Sequence, residues 1–432
     1  MSPRALLGLH AAQLAFLLWI AATTGFCCDA DYFLRAGAGL MRDGLFFQND
    51  FAGYRAYLVP LVFGLLQRLP GPAMPASGEV LPFWLAISFT LLSLAASRYI
   101  LAREGRRRYL VFALPTLFNP FLLAHVTTPL QDGVLVLLLT PLIAMLLAVR
   151  VRTPYATMGL AVLAASLAYV IRGSMPWVAV ALAIFVAFEI RRDPAMWRAA
   201  SRPALFAIAL AIPVVLLAPQ SATMYRQFGT LHPYPDASML RSQVQFGIEL
   251  LRYGTVLHQG EWKAMRSLSP FTTRPVEQKK LGFYRAEPGA GALLVLGHVW
   301  AGLHYDVLTT YFRFEQLAIV SAWVPLSAFV VAYGVLGLAH GWKEPQERSR
   351  TAFLAALFVL SCAYTAFIGV EIRHGLLGFL ALSVAAARLA AGPDGRDLMR
   401  ATFPLAVAYA FLCIAFNAML LYAVPEIGGM PK

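Results

Sequence analysis

The sequence predicts an all-α, polytopic integral membrane protein with about 11 transmembrane helices, interfacial helices and one long outer loop. Of its 432 residues, 59% are hydrophobic and only 13% are charged, and the mean hydropathy is +0.66. A soluble domain carries about a quarter charged residues. The apolar residues form runs long enough to cross a hydrocarbon core of about 30 Å. These runs lack the alternation of barrel strands, so helices are predicted.

The apolar runs divide a single transmembrane domain, residues 1–432, into successive spans. The first run follows Arg4 and resembles an uncleaved signal anchor, because it is long and lacks a small-residue cleavage site. Two apolar pieces, 57–69 and 290–303, are too short to span and are predicted to lie in the interface. The predicted spans are 5–26, 80–101, 109–125, 133–149, 156–171, 176–190, 203–219, 316–340, 351–370, 375–391 and 401–424.

Basic residues in the short loops predict the orientation of these spans, because cytoplasmic loops carry an excess of lysine and arginine. Alternate loops are rich in cations, which places the N-terminus inside, most simply in a bacterial cytoplasmic (inner) membrane. The two long polar segments, 27–79 and 220–313, then become outer loops, the second packed on the membrane face. The cations predicted inside are Arg4, Arg103, Arg106, Arg107, Arg108, Arg150, Arg152, Arg191, Arg192, Arg198, Arg202, Lys343, Arg348, Arg350, Arg396 and Arg400.

The formal net charge of +13 does not indicate a nucleic-acid partner, because many cations lie in short patches between apolar runs. Others lie in the segment 220–313, where anionic headgroups of membrane lipids are the natural partner. The four cysteines show no disulfide or metal spacing. His298 and His304 are six residues apart and therefore lie on different faces of a helix, so no metal role is assigned to them.

Ionisable residues at span ends are candidate functional residues, since charge at a membrane edge is costly. The candidate residues all fall at the predicted outer face, although the orientation of the spans is predicted from other residues, the cations of the short loops. Each has an ordinary alternative as a helix cap, a surface ion pair or a structural hydrogen-bonding group. The candidates are Asp29, Asp31, Asp132, Arg172, Glu371, Arg373 and His374.

The first outer loop resembles that of GT-C-type glycosyltransferases, which take sugars from polyprenyl-phosphate carriers. The resemblance lies in Asp29-Ala30-Asp31-Tyr32, Gly44 and the approach from Tyr54 to Pro60. The turn Glu371-Ile372-Arg373-His374 is similar to a Glu-x-Arg-Tyr/His turn of bacterial members, with histidine where tyrosine is commoner. Asn119-Pro120 and the segment 127–133 are similar to the region that places a polar residue at the outer start of the fourth span. No large C-terminal soluble domain is predicted after the last span, so an oligosaccharyltransferase is not expected.

The resemblance implies transfer of a sugar from a polyprenyl-phosphate carrier to a glycan, lipid or protein acceptor on the outer side. Asp29 or Asp31 is the expected general base, and the other would orient the acceptor or help to bind a divalent cation, Mg²⁺ or Mn²⁺. Arg373 and Arg172 would bind phosphate oxygens, with Glu371, His374 and Asp132 beside them. The metal requirement stays open, as do the sugar and the acceptor.

Two other functions fit parts of the same pattern. An O-antigen or polysaccharide polymerase or ligase shares the topology and would depend on outer arginines rather than on Asp29 or Asp31. A lipid or solute transporter would place charges near span centres and repeat a pair of broken helices in two halves. The sequence shows no such halves, which ranks the transporter third.

Overall fold

A computed structural model describes residues 3–23, 29–44, 55–68, 84, 86–88, 90, 113, 116–128, 130–148, 154–200, 202–235, 238–258, 261–304, 312–313, 323–368, 375–390, 392–422 and 427–429. It is mostly helical, as predicted. The helices are α1 Pro3–Thr23, α2 Asp29–Asp43, α3 Leu58–Arg68, α4 Pro120–Thr127, α5 Gln131–Ala148, α6 Pro154–Ile171, α7 Pro176–Arg192, α8 Pro194–Ala200, α9 Pro203–Phe228, α10 Ser238–Glu249, α11 Gly282–Ala286, α12 Pro288–Leu303, α13 Val324–Lys343, α14 Arg348–Thr365, α15 Leu376–Leu389, α16 Pro393–Ala401 and α17 Phe403–Tyr422. The strands are β1 Leu250–His258, β2 Glu261–Leu268, β3 Phe312–Arg313 and β4 Ile427–Gly429.

Within these ranges, three helices are by themselves long and apolar enough to cross a membrane. They cover Arg4–Ala22, Pro203–Phe228 and Val324–Lys343, and the number rises to five if each of two bent helix pairs is one span. Large apolar side chains on α9 and α17 are exposed along the helix, among them Phe206, Val215, Leu405 and Phe411. Such exposure is typical of a lipid-facing surface. The count of about 11 spans remains a prediction.

Many of the helices pack side by side around one large apolar core, and smaller apolar clusters lie beside it. α6 contacts α5, α7 and α9, α7 packs on α14, and α15 lies between α13 and α14. The core extends from Leu17 and Ile20 of α1 to Phe379 and Leu382 of α15. Gly337 of α13 lies so close to the Ala385 carbonyl that a Cβ there would be 2.4 Å from the oxygen. Small residues at such crossings let membrane helices approach closely.

The predicted span 109–125 contains a break at Phe118 and Asn119, and α4 begins only at Pro120. Proline has no N–H and disfavours helical geometry in the residue before it. The Asn119 side chain caps the new helix by accepting hydrogen bonds from the N–H groups of Phe121 (3.0 Å) and Leu122 (3.2 Å). Every residue of α4 is buried. The axes of α4 and α5 then differ by 111°, so this pair is a broken span or a re-entrant hairpin.

The segment 220–313, predicted as a long outer loop, has its own secondary structure. α9 continues through Pro219 to Phe228 and is capped by Gly229 at φ 68°, whereas the predicted span ended at Pro219. β1 and β2 pair antiparallel, and β3 and β4 add outer strands in the order β3-β1-β2-β4. An all-α prediction missed this small sheet. The apolar piece 290–303 is helical, as α12, and the piece 57–69 is α3.

Candidate functional site

The helix ends define two faces of the bundle. The site face is the end at which α6 finishes at Ile171 and α7 begins at Pro176. The opposite face is the end at which α7 finishes and α14 begins. At the opposite face, an Arg192 Nη1–H group donates to the Gln346 carbonyl (2.9 Å) and the Ser349 hydroxyl donates to the Glu189 carboxylate. These contacts join segments whose cations were predicted to lie inside.

The first acidic group of the site face is at the start of α2. Asp29 accepts a hydrogen bond of 2.7 Å from Arg55 Nη2–H to its Oδ1. The Arg55 guanidinium also lies over the Tyr32 ring, 4.5 Å from its centroid, in a cation–π contact. The Asp29 side chain is 28% exposed and that of Arg55 is 12% exposed. Asp31, two residues further along α2, is exposed.

α2 is oriented by its packing on α3, and this packing determines where Asp29 and Asp31 lie. Phe33, Leu34 and Leu40 form a buried stripe along α2. Gly37 meets Gly64 of α3 so closely that a Cβ on Gly37 would be 2.7 Å from the Gly64 nitrogen. The two carboxylates then occupy the first turn, where the helix dipole favours negative charge.

The second acidic group is Asp132, at the start of α5, which pairs with Arg172 at the end of α6. An Arg172 Nη1–H group donates to Asp132 Oδ1. The Asp132 side chain is only 2% exposed and that of Arg172 is 12% exposed. The pair therefore ties α5 to α6 immediately after the bend between α4 and α5. Close packing of Gly133 on the His125 carbonyl fixes the same corner.

Two tyrosines connect these groups. The Tyr57 hydroxyl, at the start of α3, donates to the Leu216 carbonyl of α9 (2.9 Å). The Tyr234 hydroxyl, in the long segment, donates to the carbonyls of Tyr169 (2.8 Å) and Val170 (3.0 Å) near the end of α6. Burial, followed by the nearby Tyr169 and Tyr57 hydroxyls, raises the pKa of Tyr234 well above its usual range. The Asp29–Arg55 end and the Asp132–Arg172 end thus belong to one face.

The remaining predicted site residues, Glu371, Arg373 and His374, lie outside the described residues. Their neighbours on both sides are placed by the long segment. Ile368 packs against Gly247 of α10, and Gly375 lies against Gly302 of α12, where a Cβ would be only 1.8 Å from the Gly302 oxygen. The described residues that flank positions 369–374, Ile368 and Gly375, therefore lie against α10 and α12 respectively.

Sequence reasoning missed two polar residues of this region. Arg55 is one of them, and its position inside the Tyr54–Pro60 motif is the sequence signal that could have found it. Arg252 of β1 is buried and donates a hydrogen bond from Nη2–H to the His304 carbonyl (2.9 Å). Nothing in the local sequence distinguishes Arg252 from the exposed cations around it, because its burial depends on α12 folding over β1.

His304 is a fully buried histidine whose proton positions follow from its partners. Its Nδ1 lies 2.8 Å from the Trp300 carbonyl, which only accepts, so Nδ1 carries the proton. Nε2 then accepts from the Tyr409 hydroxyl at 2.5 Å. Burial, with a contribution from the Arg252 charge, lowers the pKa of His304 to about 4. His304 is therefore neutral at pH 7 and links the long segment to α17.

No group of three or more His, Cys, Asp or Glu side chains is placed to hold a metal ion in the part of the chain that the structure describes. Asp29 and Asp31 remain the only residues assigned to the predicted divalent cation, and that assignment stays a prediction. Comparison with protein-family models, with curated proteins and with solved structures found no match.

Proposed function

We propose that this chain is a membrane glycosyltransferase that moves a sugar from a polyprenyl-phosphate carrier to a glycan, lipid or protein acceptor. The proposal includes about 11 spans, a cytoplasmic N-terminus and a site face directed away from the cytoplasm. The observation that supports it most directly is the accessible acid group of α2, where exposed Asp31 stands next to the Asp29–Arg55 pair. The exposed apolar sides of α9 and α17 support the membrane location.

In this reaction the acceptor oxygen forms a bond to the anomeric carbon while the bond from that carbon to the carrier phosphate oxygen breaks. The bonding electrons leave with the phosphate, and the acceptor proton passes to a base. The transition state has oxocarbenium character. A carboxylate suits the base, and arginine suits the phosphate because its planar fork matches two oxygens.

The two aspartates of α2 differ in their surroundings, and this difference separates their proposed roles. Asp31 is exposed, so its carboxylate is open to an acceptor hydroxyl. Asp29 is held by Arg55, whose hydrogen bond fixes the direction of the carboxylate. We therefore assign the base to Asp31 and acceptor orientation, or cation binding, to Asp29. Arg373, supported by Glu371 and His374, would bind the phosphate, with Arg172 fixed nearby by Asp132.

The test compares Asp31→Asn, Asp29→Asn and the parent chain in detergent, using radiolabelled sugar on a panel of polyprenyl-phosphate donors. Asp43→Asn is the matched control, because Asp43 lies at the other end of α2 and is exposed beside Arg42. We expect Asp31→Asn to lose roughly 10²-fold or more of the transfer rate and Asp43→Asn to match the parent. Parent-like transfer by both Asp29→Asn and Asp31→Asn would remove the catalytic assignment and favour a polymerase or ligase that depends on Arg172 and Arg373.

One observation favours the transporter as a second candidate. Discontinuous helices line the substrate sites of many transporters, and α4 and α5 are bent by 111° directly before Asp132. A transporter would move a fluorescent lipid or a labelled solute across proteoliposomes without forming a glycosidic bond. Movement that is lost in an Asp132 variant, together with no sugar transfer by the parent, would select this candidate.

A further inference from the structure

A short strap follows α9 and lies against the end of α6. It comprises residues 230–235, immediately after the left-handed cap at Gly229. On the α9 side, a Gln220 Nε2–H group donates to the Pro233 carbonyl (2.9 Å). Within the strap, the Tyr234 N–H donates to His232 Nδ1 (3.1 Å). The strap is therefore fixed before it reaches α6.

The Tyr234 side chain caps α6. The last carbonyls of a helix have no intrahelical donor and need other partners. The Tyr234 hydroxyl donates to two such carbonyls, those of Tyr169 and Val170. Its ring also meets the Tyr169 ring edge-on, with centroids 5.2 Å apart. A side chain from the long segment thus caps the C-terminal end of α6.

Gly173 makes room for this contact. A Cβ at Gly173 would be 2.7 Å from Cγ and Cδ2 of the Tyr234 ring, closer than real Cβ atoms come. The Tyr234 ring therefore lies directly against the chain at Gly173, the residue that follows Arg172. On the other side, Met175 N–H donates to the Arg172 carbonyl (2.9 Å) and Arg172 N–H donates to the Ala168 carbonyl (3.0 Å).

Arg172 is consequently enclosed between the carbonyls capped by Tyr234 and the glycine covered by its ring. Its guanidinium points to the buried Asp132 of α5. A displacement of the last turn of α6 would move this guanidinium relative to α5, because Arg172 is part of the chain that continues directly from α6. The strap is thus in a position to set the geometry of the Asp132–Arg172 pair.

We infer that Tyr234 is a positioning residue, through which the long segment 220–313 holds the end of α6 and keeps Arg172 in its place at the site face. This inference rests on the proposed function only in its effect on transfer, because the cap itself is a property of the fold. Tyr234 touches no reacting atom in this assignment. It affects transfer only by fixing the end of α6, and with it the position of Arg172.

The cap is tested by hydrogen–deuterium exchange on the full-length protein. Tyr234→Phe removes the hydroxyl and keeps the ring, whereas Gly173→Ala keeps the hydroxyl and pushes the ring away. Tyr225→Phe is the control, because Tyr225 is an exposed tyrosine on α9. We expect faster exchange in peptides covering residues 169–175 for the first two variants and no change for the control. Unchanged exchange at 169–175 in Tyr234→Phe and Gly173→Ala would overturn the inference.

The route through Arg172 is tested by a double-mutant cycle of Tyr234→Phe with Arg172→Lys, which keeps the charge but loses the planar fork. We expect Tyr234→Phe to lower kcat roughly 10-fold with a small change in KM, and to have almost no further effect in the Arg172→Lys chain. The unfolding temperature of the same four chains is measured in parallel and should show the same coupling. Additive effects in both measurements would overturn the link to Arg172. A parent without transfer would count against the proposed function, while exchange and unfolding would still decide the cap.

Discussion

Two aspartate–arginine pairs lie on the site face, and they differ mainly in burial. In the Asp132–Arg172 pair the carboxylate is 2% exposed, whereas in the Asp29–Arg55 pair it is 28% exposed. The first pair joins two core helices at the bend after α4. The second joins the start of α2 to the chain before α3, next to an aromatic ring and open to solvent. The same chemical pairing therefore serves two purposes.

The difference follows from the cost of removing charge from water. A buried ion pair is needed mainly because either partner alone would be an uncompensated buried charge, and it adds little beyond well-packed apolar residues. A partly exposed pair contributes little to stability, because water and salt compete with it. It can, however, exchange partners when a substrate arrives. Changes at Asp132 and Arg172 should therefore lower stability strongly, whatever else they do, whereas changes at Asp29, Asp31 and Arg55 should affect transfer with little effect on stability.

The largest expected effect comes from breaking the buried pair. Asp132→Leu or Arg172→Met alone should lower the free energy of unfolding by about 3–5 kcal/mol, because each leaves one charge buried without its partner. Thermal unfolding in detergent measures the loss. The double variant Asp132→Leu/Arg172→Met is the control and should recover most of it. A double variant as unstable as the sum of the single variants would show that the two residues act independently.

The next largest effect is expected at low pH, where protonation of the buried His304 should lower the stability of the folded protein. His304 has a pKa of about 4 when folded, below the usual value near 6.5, so the unfolded chain binds the proton more tightly. The stability that depends on His304 being neutral is fully present above about pH 6.5 and is lost as the pH falls towards 4. The free energy of unfolding should decrease by on the order of 3 kcal/mol in total. Unfolding temperatures between pH 8 and pH 4 measure this slope.

His304→Gln is the matched variant for the acid experiment. Glutamine keeps hydrogen-bonding capacity near Trp300 and Tyr409 but does not titrate in this range. The unfolding temperature of the variant should therefore change less between pH 6.5 and pH 4 than that of the parent. An identical pH slope in both chains would assign the acid sensitivity to other groups.

The smallest expected effect on stability belongs to the exposed pair. Arg55→Gln should change the free energy of unfolding by about 0–1 kcal/mol, since the pair is partly solvated. The transfer rate should fall much more than the stability, because Asp29 loses the group that orients it. Parallel measurements of unfolding and transfer test this separation. A loss of several kcal/mol would mean that Arg55 is a structural residue like Arg172, and the contrast between the two pairs would disappear.

Much of the candidate site was predictable from the positions of charged residues in an apolar chain. Asp29 and Asp31 stand directly after the first apolar run, and Asp132 and Arg172 stand at ends of others. The structure places Asp132 beside Arg172, and Tyr234 of the long segment caps the end of α6 at the same corner. The pairing with Arg55 was not predicted, because pairing depends on the angle at which α3 packs on α2.

The sequence by itself determined the apolar helices, the clustering of cations between them and the line of ionisable residues at span ends. These features depend on local hydrophobicity and charge, which act over one helix length. Only the tertiary structure decided the pairing of β3 and β4 with the hairpin, the burial of Arg252 and the cap that Tyr234 places on α6. Each of these depends on contacts between residues far apart in the chain, where close packing, and not local propensity, selects the arrangement.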